Sequence, residues 1–138
     1  MQARRRQIMV VAALIQRDGK LLICQRRGDD RHGLKWEFPG GKVEPGETPR
    51  QALERELTEE LRIHARIGPE IVRYEVHYPK RIDILLIFHM VTAFQGEPAN
   101  AIFEQIKWET LSSLHSYDFL DGDLDFIRRL TCGDLRLP

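Results

Sequence analysis

The sequence predicts an α/β protein, specifically an α/β/α sandwich in which a mixed β-sheet lies between helices. Two observations predict this class: runs rich in β-branched and aromatic residues alternate with stretches of helical period, and turn residues separate them. The chain has 138 residues, of which 42% are hydrophobic and 30% charged. This length and composition fit one compact domain over residues 1–138, without repeats or low-complexity segments.

The first predicted element is a β-hairpin. Apolar runs at 8–15 and 21–24 flank Asp18-Gly19, a pair that tolerates the positive φ angles of a type I′ turn. The arginines at 4–6 before the first run superficially resemble the start of a signal peptide, but no small-residue cleavage pattern follows. The run is also too short to span a bilayer. We therefore expect a strand here and a cytoplasmic protein.

Two helices follow from capping and periodicity. Thr48 can cap the first helix, Gln51 completes a capping box with it, and the apolar period extends to about Leu61. The second helix should begin near Asp121, whose side chain can cap free amides, and stop at Gly133. Its expected apolar positions are Leu124, Ile127 and Leu130.

The segment between the two helices is predicted to be mainly β-structure. The stretches 67–78 and 82–94 are rich in β-branched and aromatic residues, and Pro79-Lys80-Arg81 divides them, so they are expected to pair. A further short strand is expected around 106–108. Together with the first hairpin, these strands supply the predicted sheet.

The charge balance argues against two classes of partner. The 21 Lys and Arg residues equal the 21 Asp and Glu residues, which provides no basic field for a nucleic-acid polymer or an anionic membrane. Arginine nevertheless dominates the cations, and its planar fork suits phosphate oxygens. The two cysteines, Cys24 and Cys132, have neither disulfide-framework nor zinc-site spacing.

The first helix carries a crowded acidic face. Glu56, Glu59 and Glu60 fall within an arc of about 100° beside the apolar face of the helix. Each like-charge pair at this spacing costs roughly 0.2–0.5 kcal/mol, and a hard oxygen-preferring cation such as Mg²⁺ or Mn²⁺ would turn repulsion into coordination. A merely solvated acidic face is the alternative.

A longer motif contains this acidic face. Gly41, then Glu47 after five residues, then Arg55-Glu56-Leu57-Thr58-Glu59-Glu60-Leu61-Arg62-Ile63 after seven more, closely resembles the Nudix box, Gly-x5-Glu-x7-Arg-Glu-U-x-Glu-Glu-x-Gly-U, where U is aliphatic. The resemblance extends to residues 36–41 and to Gln25-Arg26, which are similar to the MutT-like branch. It implies the Nudix fold and magnesium-dependent cleavage of a nucleoside diphosphate linked to another group.

One position departs from the pattern. Arg62 stands where the box has glycine, which normally supplies the left-handed conformation that ends a helix. We expect either a positive φ at Arg62, at a cost of roughly 1–2 kcal/mol, or a different helix end.

The resemblance also implies roles for residues in and around the box. Its implied metal ligands are the Gly40 carbonyl, Glu56, Glu59, Glu60 and Glu104. Glu56 is the candidate general base, while Arg55 and Glu47 are expected to orient the ligating carboxylates. For Arg55 and Glu47 the alternative is a surface ion pair, and for Glu104 it is an exposed loop position.

Further residues are implied in substrate binding. Arg26 and Lys42 are predicted to contact phosphate, with a solvated strand end as the alternative for Arg26. The predicted base-binding residues are Ile8, Val10, Ala12, Phe38, Tyr78, Arg81 and Asp123. Phe38 is alternatively a core residue, and Asp123 is alternatively a charge favoured by the helix dipole. An ionised Asp123 only accepts hydrogen bonds, which favours a base with an N–H edge.

These observations predict a Mg²⁺-dependent pyrophosphohydrolase that converts a nucleoside triphosphate into the monophosphate and pyrophosphate. The expected substrate is 8-oxo-dGTP, and its hydrolysis would sanitise the nucleotide pool. One alternative is CTP or a modified dCTP, and a second is a non-catalytic module that binds nucleotides or a protein. The oligomeric state is expected to be a monomer or a homodimer.

Overall fold

The computed structural model describes residues 6–79 and 82–138. Of the residues predicted to bind substrate, Arg81 lies outside the described residues. The described chain contains two α-helices, one 3₁₀ helix and nine strands.

The order of elements follows the predicted alternation. The strands are β1 Arg6–Arg17, β2 Lys20–Gln25, β3 Trp36–Glu37, β4 Gly40–Lys42, β5 His64–Arg66, β6 Glu70–Tyr78, β7 Ile82–Val91, β8 Ala93–Gln95 and β9 Gln105–Thr110. The helices are α1 Pro49–Leu61, the 3₁₀ helix Leu111–Ser116, and α2 Asp121–Thr131.

Strand β1 organises a mixed seven-stranded sheet with the path β3-β2-β1-β7-β6. It runs parallel to β7 over residues 6–15, pairs antiparallel with β4 in its middle at 10–12, and forms a hairpin with β2 at its far end. Strand β9 pairs with β2, while β5 and β8 form a separate two-stranded sheet. Strand β4 belongs to the loop that contains Gly40 and Gly41. Because β1 pairs with both β4 and β7, this loop lies directly beside the centre of the sheet.

Each face of the sheet is covered by a helix. Alternating residues of β1 point to opposite faces, so Val11, Ala13 and Ile15 pack with α1 while Ala12 and Leu14 pack with α2. The predicted α/β/α sandwich is confirmed. In the described part of the chain, neither helix is both long and apolar enough to cross a membrane.

The start of α1 is confirmed in detail. The Thr48 hydroxyl accepts from the Gln51 backbone N–H at 3.2 Å, and the Gln51 side chain accepts from the Thr48 N–H at 2.9 Å. Both partners of the capping box are therefore satisfied. The three leucines predicted for the apolar face, Leu53, Leu57 and Leu61, are fully buried.

The predicted start of α2 is wrong in one respect. Asp121 is the first helical residue and not its cap, Leu120 occupies the cap position, and no side chain caps the helix. The apolar face is also displaced, because Leu124 is 49% exposed whereas Phe126 is buried. Asp123 shares the buried face with Phe126, Ile127 and Leu130. A carboxyl group thus occupies a core-facing position in the first turn of the helix.

Several strand boundaries differ from the prediction. The segment 67–69 precedes β6, and the predicted strand 82–94 is divided into β7 and β8. Strands β3 and β4 lie within the turn-rich region, where two or three residues carry no readable period. The Asp18-Gly19 turn is confirmed, with φ of 53° and 75° at its two residues.

Arg62 ends α1 in the left-handed region, with φ 56° and ψ 36°. Its backbone N–H donates to the Thr58 carbonyl. The first of the two expected outcomes for this position is therefore correct: the helix ends as the glycine-containing pattern would end it, on a residue with a side chain.

Candidate active site

The guanidinium of Arg55 is the centre of the acidic site. Its Nε and Nη2 atoms donate to the two carboxylate oxygens of Glu47 at 2.7 and 3.0 Å. Its Nη1 atom donates to Glu56 at 3.0 Å and to Glu59 at 3.3 Å. A further bond reaches the Lys42 carbonyl at 3.1 Å, so this one side chain connects the helix to the loop before it.

The loop approaches the backbone of β1 at Gly40 and a side chain of α1 at Gly41. A Cβ atom on Gly41 would lie 2.6 Å from the Glu56 carboxylate carbon, and one on Gly40 would lie 1.9 Å from the Val11 carbonyl oxygen. The Gly40 backbone N–H donates to Glu60 at 3.2 Å. The loop backbone therefore lies against the carboxylates of Glu56 and Glu60, which fixes the two relative to each other.

Burial raises the pKa values of the Glu56 and Glu60 carboxyl groups. The pKa of Glu60 is raised to about 9, chiefly because the side chain is buried and next because the Glu56 charge lies nearby. Burial also raises the pKa of Glu56, against the opposing effect of the Arg55 hydrogen bond. Glu47 shows the reverse: its hydrogen bonds from Arg55 hold its pKa below the usual value. Arg55 thus compensates Glu56 and Glu47 directly, whereas the hydrogen bond that lowers the Glu60 pKa comes from the neutral Gly40 backbone.

A cavity of about 400 Å³ opens beside this site, on the α2 face of the sheet. The apolar part of its wall comes from strands and from one aromatic ring, namely Val10, Ala12, Phe38, Val76, Ile84 and Leu86. The polar part includes Glu37 and Asp123 together with Arg31, His32 and Lys35 of the loop before β3. Gly40 also lines the cavity, so the cavity adjoins the acidic site.

The pKa values of both carboxyl groups in the cavity are raised. Burial, and next the charge of Glu37, raises the pKa of Asp123 to about 8. Burial also raises the pKa of Glu37, while the charge and hydrogen bonds of Arg26 lower it. Asp123 is therefore neutral near pH 7, where it offers one hydrogen-bond donor as well as acceptors. This differs from the ionised, acceptor-only Asp123 considered from the sequence.

The other predicted base-binding residues are distributed around the cavity. Tyr78 lies on its wall with 43% of its surface exposed. Phe38 also lies on the wall, but it is only 3% exposed and packs against Phe88, Phe119 and Phe126, as the core alternative predicted. Ile8 lines an adjoining groove together with Lys42.

A comparison of the sequence with known families identifies the chain. A NUDIX-domain profile matches residues 4–130. The chain belongs to the NUDIX family. It is therefore a hydrolase that acts on phosphoric anhydrides, and the box, which departs from the family pattern only at Arg62, lies where the fold places Glu47, Arg55 and the acidic face together.

Curated relatives match most of the chain. The chain is 38% identical over 120 residues to the CTP pyrophosphohydrolase of Escherichia coli, covering 87% of this chain and 88% of that protein. It is 36% identical over 124 residues to the 8-oxo-dGTP diphosphatase of Haemophilus influenzae, covering 89% and 90% respectively. Both proteins are named for hydrolysis of a nucleoside triphosphate, but their names differ in the base.

Solved NUDIX-type structures share the fold. The solution structure of the Escherichia coli ORF135 protein matches with a TM-score of 0.81 and 35% identity, covering 90% of this chain and 88% of that one. A MutT structure from work on Aliivibrio salmonicida and Vibrio cholerae matches with a TM-score of 0.79 and 28% identity, covering 93% and 99%.

Two predicted NUDIX site residues lie at the same end of the sheet. Arg26 follows β2, and its guanidinium is bound by the carboxylates of Glu37 and Asp30. Glu104 is exposed just before β9, and its backbone N–H donates to the Gln25 carbonyl at 2.9 Å. Its role as a metal ligand stays a prediction, as does that of the Gly40 carbonyl.

A second group of metal-ligating residue types lies outside the NUDIX box. Ligand atoms of Glu75, His77 and Asp83 lie within 4.8 Å of one another near the end of the β6–β7 hairpin. His77 and Asp83 are joined by a 2.6 Å hydrogen bond, and Glu75 and His77 are exposed. This group is separate in the chain from the box glutamates.

Sequence reasoning missed Glu37. The residue lies between the buried Trp36 and Phe38, and its side chain is 20% exposed on the cavity wall. An acid flanked by two aromatic residues in a short strand is the only local signal for it, and that signal does not reveal the cavity. The loop residues Arg31, His32 and Lys35 were missed as well, because their convergence on the cavity depends on the tertiary fold.

Proposed function

We propose that this protein is a Mg²⁺-dependent nucleoside triphosphate pyrophosphohydrolase, which forms a nucleoside monophosphate and pyrophosphate. One observation carries the proposal: the carboxylates organised by Arg55 adjoin a cavity that combines an apolar wall with one buried and one partly buried carboxyl group, those of Asp123 and Glu37. The first arrangement suits a polyphosphate with its cation, and the second suits a base.

The donor set of the acidic site fits a hard divalent cation. The partly buried Glu56 and the buried Glu60 are carboxyl groups whose pKa values are raised, and Glu59 adds a more exposed carboxylate. Oxygen-only ligands suit Mg²⁺, with Mn²⁺ as a possible substitute. We propose Glu56, Glu59 and Glu60 as ligands, with the Gly40 carbonyl and Glu104 completing the set. Bound there, Mg²⁺ offsets the charge that develops on phosphate oxygens.

The remaining residues of the box prepare the reaction. Arg55 holds Glu56 at a fixed distance from Glu47, so the Glu56 carboxylate is positioned to take a proton from the attacking water. Water adds to a phosphorus atom of the α–β anhydride, the bond to the bridging oxygen breaks, and pyrophosphate leaves. Lys42, exposed on β4 opposite Val10, is proposed to contact the phosphate chain.

The proposed substrate is 8-oxo-dGTP. A neutral Asp123 presents a donor beside an acceptor, which complements the O6 and N7–H edge of 8-oxoguanine. Unmodified guanine has two acceptors on that edge, so one hydrogen bond is lost. Apolar contact with the base is proposed for Val10, Phe38 and Tyr78, while Ile8 in the adjoining groove and Arg81 stay predictions.

A second candidate substrate is CTP or a modified dCTP. Cytosine also presents an acceptor beside an amino donor, so Asp123 satisfies its N3 and N4 positions equally well. The relative that is 38% identical to this chain is named a CTP pyrophosphohydrolase, which favours this candidate independently.

The proposed activity is tested by identifying both products of a nucleotide panel. The protein is incubated with Mg²⁺ and 8-oxo-dGTP, dGTP, CTP, 5-methyl-dCTP or UTP, and the products are separated by anion exchange. Monophosphate and pyrophosphate in equal amounts support the proposal. Release of orthophosphate alone, or no hydrolysis of any triphosphate, contradicts it. The ratio of kcat/KM values for 8-oxo-dGTP and CTP decides between the two substrates.

A further inference from the structure

All three nitrogen atoms of the Arg26 guanidinium contact other groups of the protein. Nη1 contacts both carboxylate oxygens of Glu37 at 3.2 Å, and Nη2 lies 3.0 Å from the Asp30 carboxylate. Nε donates to the Arg31 carbonyl at 3.1 Å. These contacts engage all three nitrogen atoms of the guanidinium and use at most four of its five N–H groups. Arg26 therefore already binds one carboxylate of the cavity wall and two groups of the neighbouring loop.

The first partner of Arg26 lies on the wall of the base cavity. Glu37 is fixed in β3 between two buried aromatic residues, it lines the same cavity as Asp123, and its charge acts on the Asp123 carboxyl group. A partly buried carboxylate remains charged only where a cation compensates it, and Arg26 supplies that cation. Charged in this way, Glu37 accepts hydrogen bonds and donates none.

The other partners of Arg26 belong to the loop that closes the cavity. Asp30 and Arg31 lie in the loop between β2 and β3, which contributes Arg31, His32 and Lys35 to the cavity wall. Backbone bonds from Arg26 N–H to the Lys35 carbonyl and from Leu34 N–H to the Arg26 carbonyl, at 2.9 and 3.0 Å, join the two ends of the loop. One guanidinium therefore connects this wall of the cavity to the Glu37 carboxylate.

We propose that Arg26 is a positioning residue for base recognition, which holds the Glu37 carboxylate and the 27–35 loop around the base so that Glu37 accepts a hydrogen bond from a base N–H group. This inference rests on the proposed function for the identity of the ligand as a nucleotide. It assigns Arg26 to the base cavity and not to the phosphate chain, and it adds Glu37 to the residues that determine base specificity.

The experiment separates base recognition from phosphate binding without requiring hydrolysis. Equilibrium binding of 8-oxo-dGMP, dGMP, CMP and UMP is measured by calorimetry for the wild type, R26K and E37Q. Binding of inorganic tripolyphosphate with Mg²⁺ is measured in parallel. R26K keeps the positive charge but loses the planar fork, so a simple phosphate contact would largely survive the change. The matched control is R27K, because Arg27 is the exposed neighbour whose guanidinium lies 3.7 Å from Asp29.

The expected result is selective. R26K and E37Q should each lower the affinity for the preferred monophosphate by about tenfold or more, because a hydrogen bond to a charged group is removed or misplaced. The preference for this monophosphate over those with other bases should fall as well. Tripolyphosphate affinity should stay within about twofold of the wild type, and R27K should match the wild type throughout. In turnover assays, KM should rise more than kcat falls.

Three results would overturn the inference. The first is an equal loss of tripolyphosphate and monophosphate affinity in R26K, and the second is an unchanged base preference in R26K and E37Q. The third is a wild-type protein that binds the four monophosphates without discrimination. If the single variants unfold, the double variant R26Q/E37Q is used, because it removes both charges together. The inference then requires that this variant loses base preference and retains tripolyphosphate binding. A wild type that discriminates between bases but hydrolyses no triphosphate refutes the proposed function alone.

Discussion

Arg55 and Glu47 form a two-point ion pair, with hydrogen bonds of 2.7 and 3.0 Å between the Nε and Nη2 atoms of the guanidinium and the two carboxylate oxygens. The same guanidinium donates to Glu56 at 3.0 Å. Because Glu47 lies before α1 and Glu56 lies within it, this pair connects the helix to the loop. The orientation of the proposed general base therefore depends on a residue that does not touch the substrate.

Replacing Glu47 with Gln should test this dependence. The amide removes one charged acceptor and frees the Arg55 guanidinium to rotate, so we expect the apparent Mg²⁺ affinity and kcat to fall by roughly 10–100-fold. The measurement is a Mg²⁺ titration of the steady-state rate. E97Q is the control, because Glu97 forms a similar exposed two-point pair with Arg17 at 2.7 and 2.9 Å. A normal Mg²⁺ titration in E47Q would refute the orienting role.

Replacing Glu56 with Gln should remove the general base while it retains the size of the side chain. We expect kcat to fall by roughly 10²–10⁴-fold, because the amide cannot take a proton from water. E54Q is the control: Glu54 is an exposed acid two residues earlier in the same helix. Pre-steady-state and steady-state product formation should both show the loss. Turnover in E56Q close to that of E54Q would contradict the assignment.

Mg²⁺ should stabilise the folded protein, and Glu60 should be required for this effect. At 100 times its Kd, a ligand of the folded state adds about 2.7 kcal/mol to the free energy of unfolding. Without the ion, burial keeps Glu60 protonated at neutral pH, because its pKa is raised to about 9. E60Q should therefore unfold like the wild type without Mg²⁺ but gain little when it is added. Urea unfolding with and without Mg²⁺ measures both, and a full Mg²⁺ effect in E60Q would exclude Glu60 as a ligand.

Asp123 should make stability depend on pH in a direction set by its raised pKa. Its pKa is about 8 in the folded protein and near 4 in the unfolded chain, so the folded state holds an extra proton between these values. The contribution of this extra proton to the free energy of unfolding is fully present below about pH 4 and is lost as the pH rises through about 8. The slope is up to roughly 1.4 kcal/mol per pH unit.

The D123N variant isolates this contribution. The difference between the unfolding free energies of the wild type and D123N should fall steadily from about pH 5 to about pH 8. D125N is the control, because the hydrogen bond from Arg128 lowers the pKa of Asp125 and its titration lies below this range. A wild type and D123N with parallel pH profiles would show that Asp123 is ionised throughout.

Local sequence signals predicted the box, whereas the predicted base-binding residues that line the cavity, among them Val10, Tyr78 and Asp123, came from the family resemblance and not from spacing. The capping box at Thr48 and the period of Leu53, Leu57 and Leu61 are features of a single helix, and each is present in the structure. The cavity instead forms where β1, β3 and the start of α2 meet. Glu37 and Asp123 converge only through that packing, so no spacing in the chain indicates that they share a wall.

Arg26 illustrates the same difference between local and tertiary information. The sequence places an arginine after a strand, which is compatible with a phosphate contact and with a solvated end. Its actual partners are Asp30, four residues along the chain, and Glu37, which belongs to the neighbouring strand. The orientation of β3 relative to β2 brings Glu37 to Arg26, and that orientation follows from antiparallel pairing of Cys24 with Glu37 and of Gln25 with Trp36.

Replacing Arg62 with Gly should stabilise the protein without changing its activity. Arg62 has a φ of 56°, a conformation that costs a residue with a Cβ atom roughly 1–2 kcal/mol and costs glycine nothing. The glycine also increases the entropy of the unfolded chain, which offsets about 0.4–1 kcal/mol of this gain. We therefore expect the free energy of unfolding to rise by about 0.5–1 kcal/mol in R62G.

The R62A variant separates the backbone effect from loss of the side chain. Arg62 is exposed, and alanine keeps the Cβ atom while it removes the guanidinium. If the left-handed backbone is the cause, R62A should resemble the wild type and R62G alone should be more stable, because only glycine relieves the contact between Cβ and the following carbonyl. Equal stabilisation of both variants in urea unfolding would contradict the backbone explanation, because a cation beside the C-terminal end of α1 is favourable and its loss alone should stabilise neither variant.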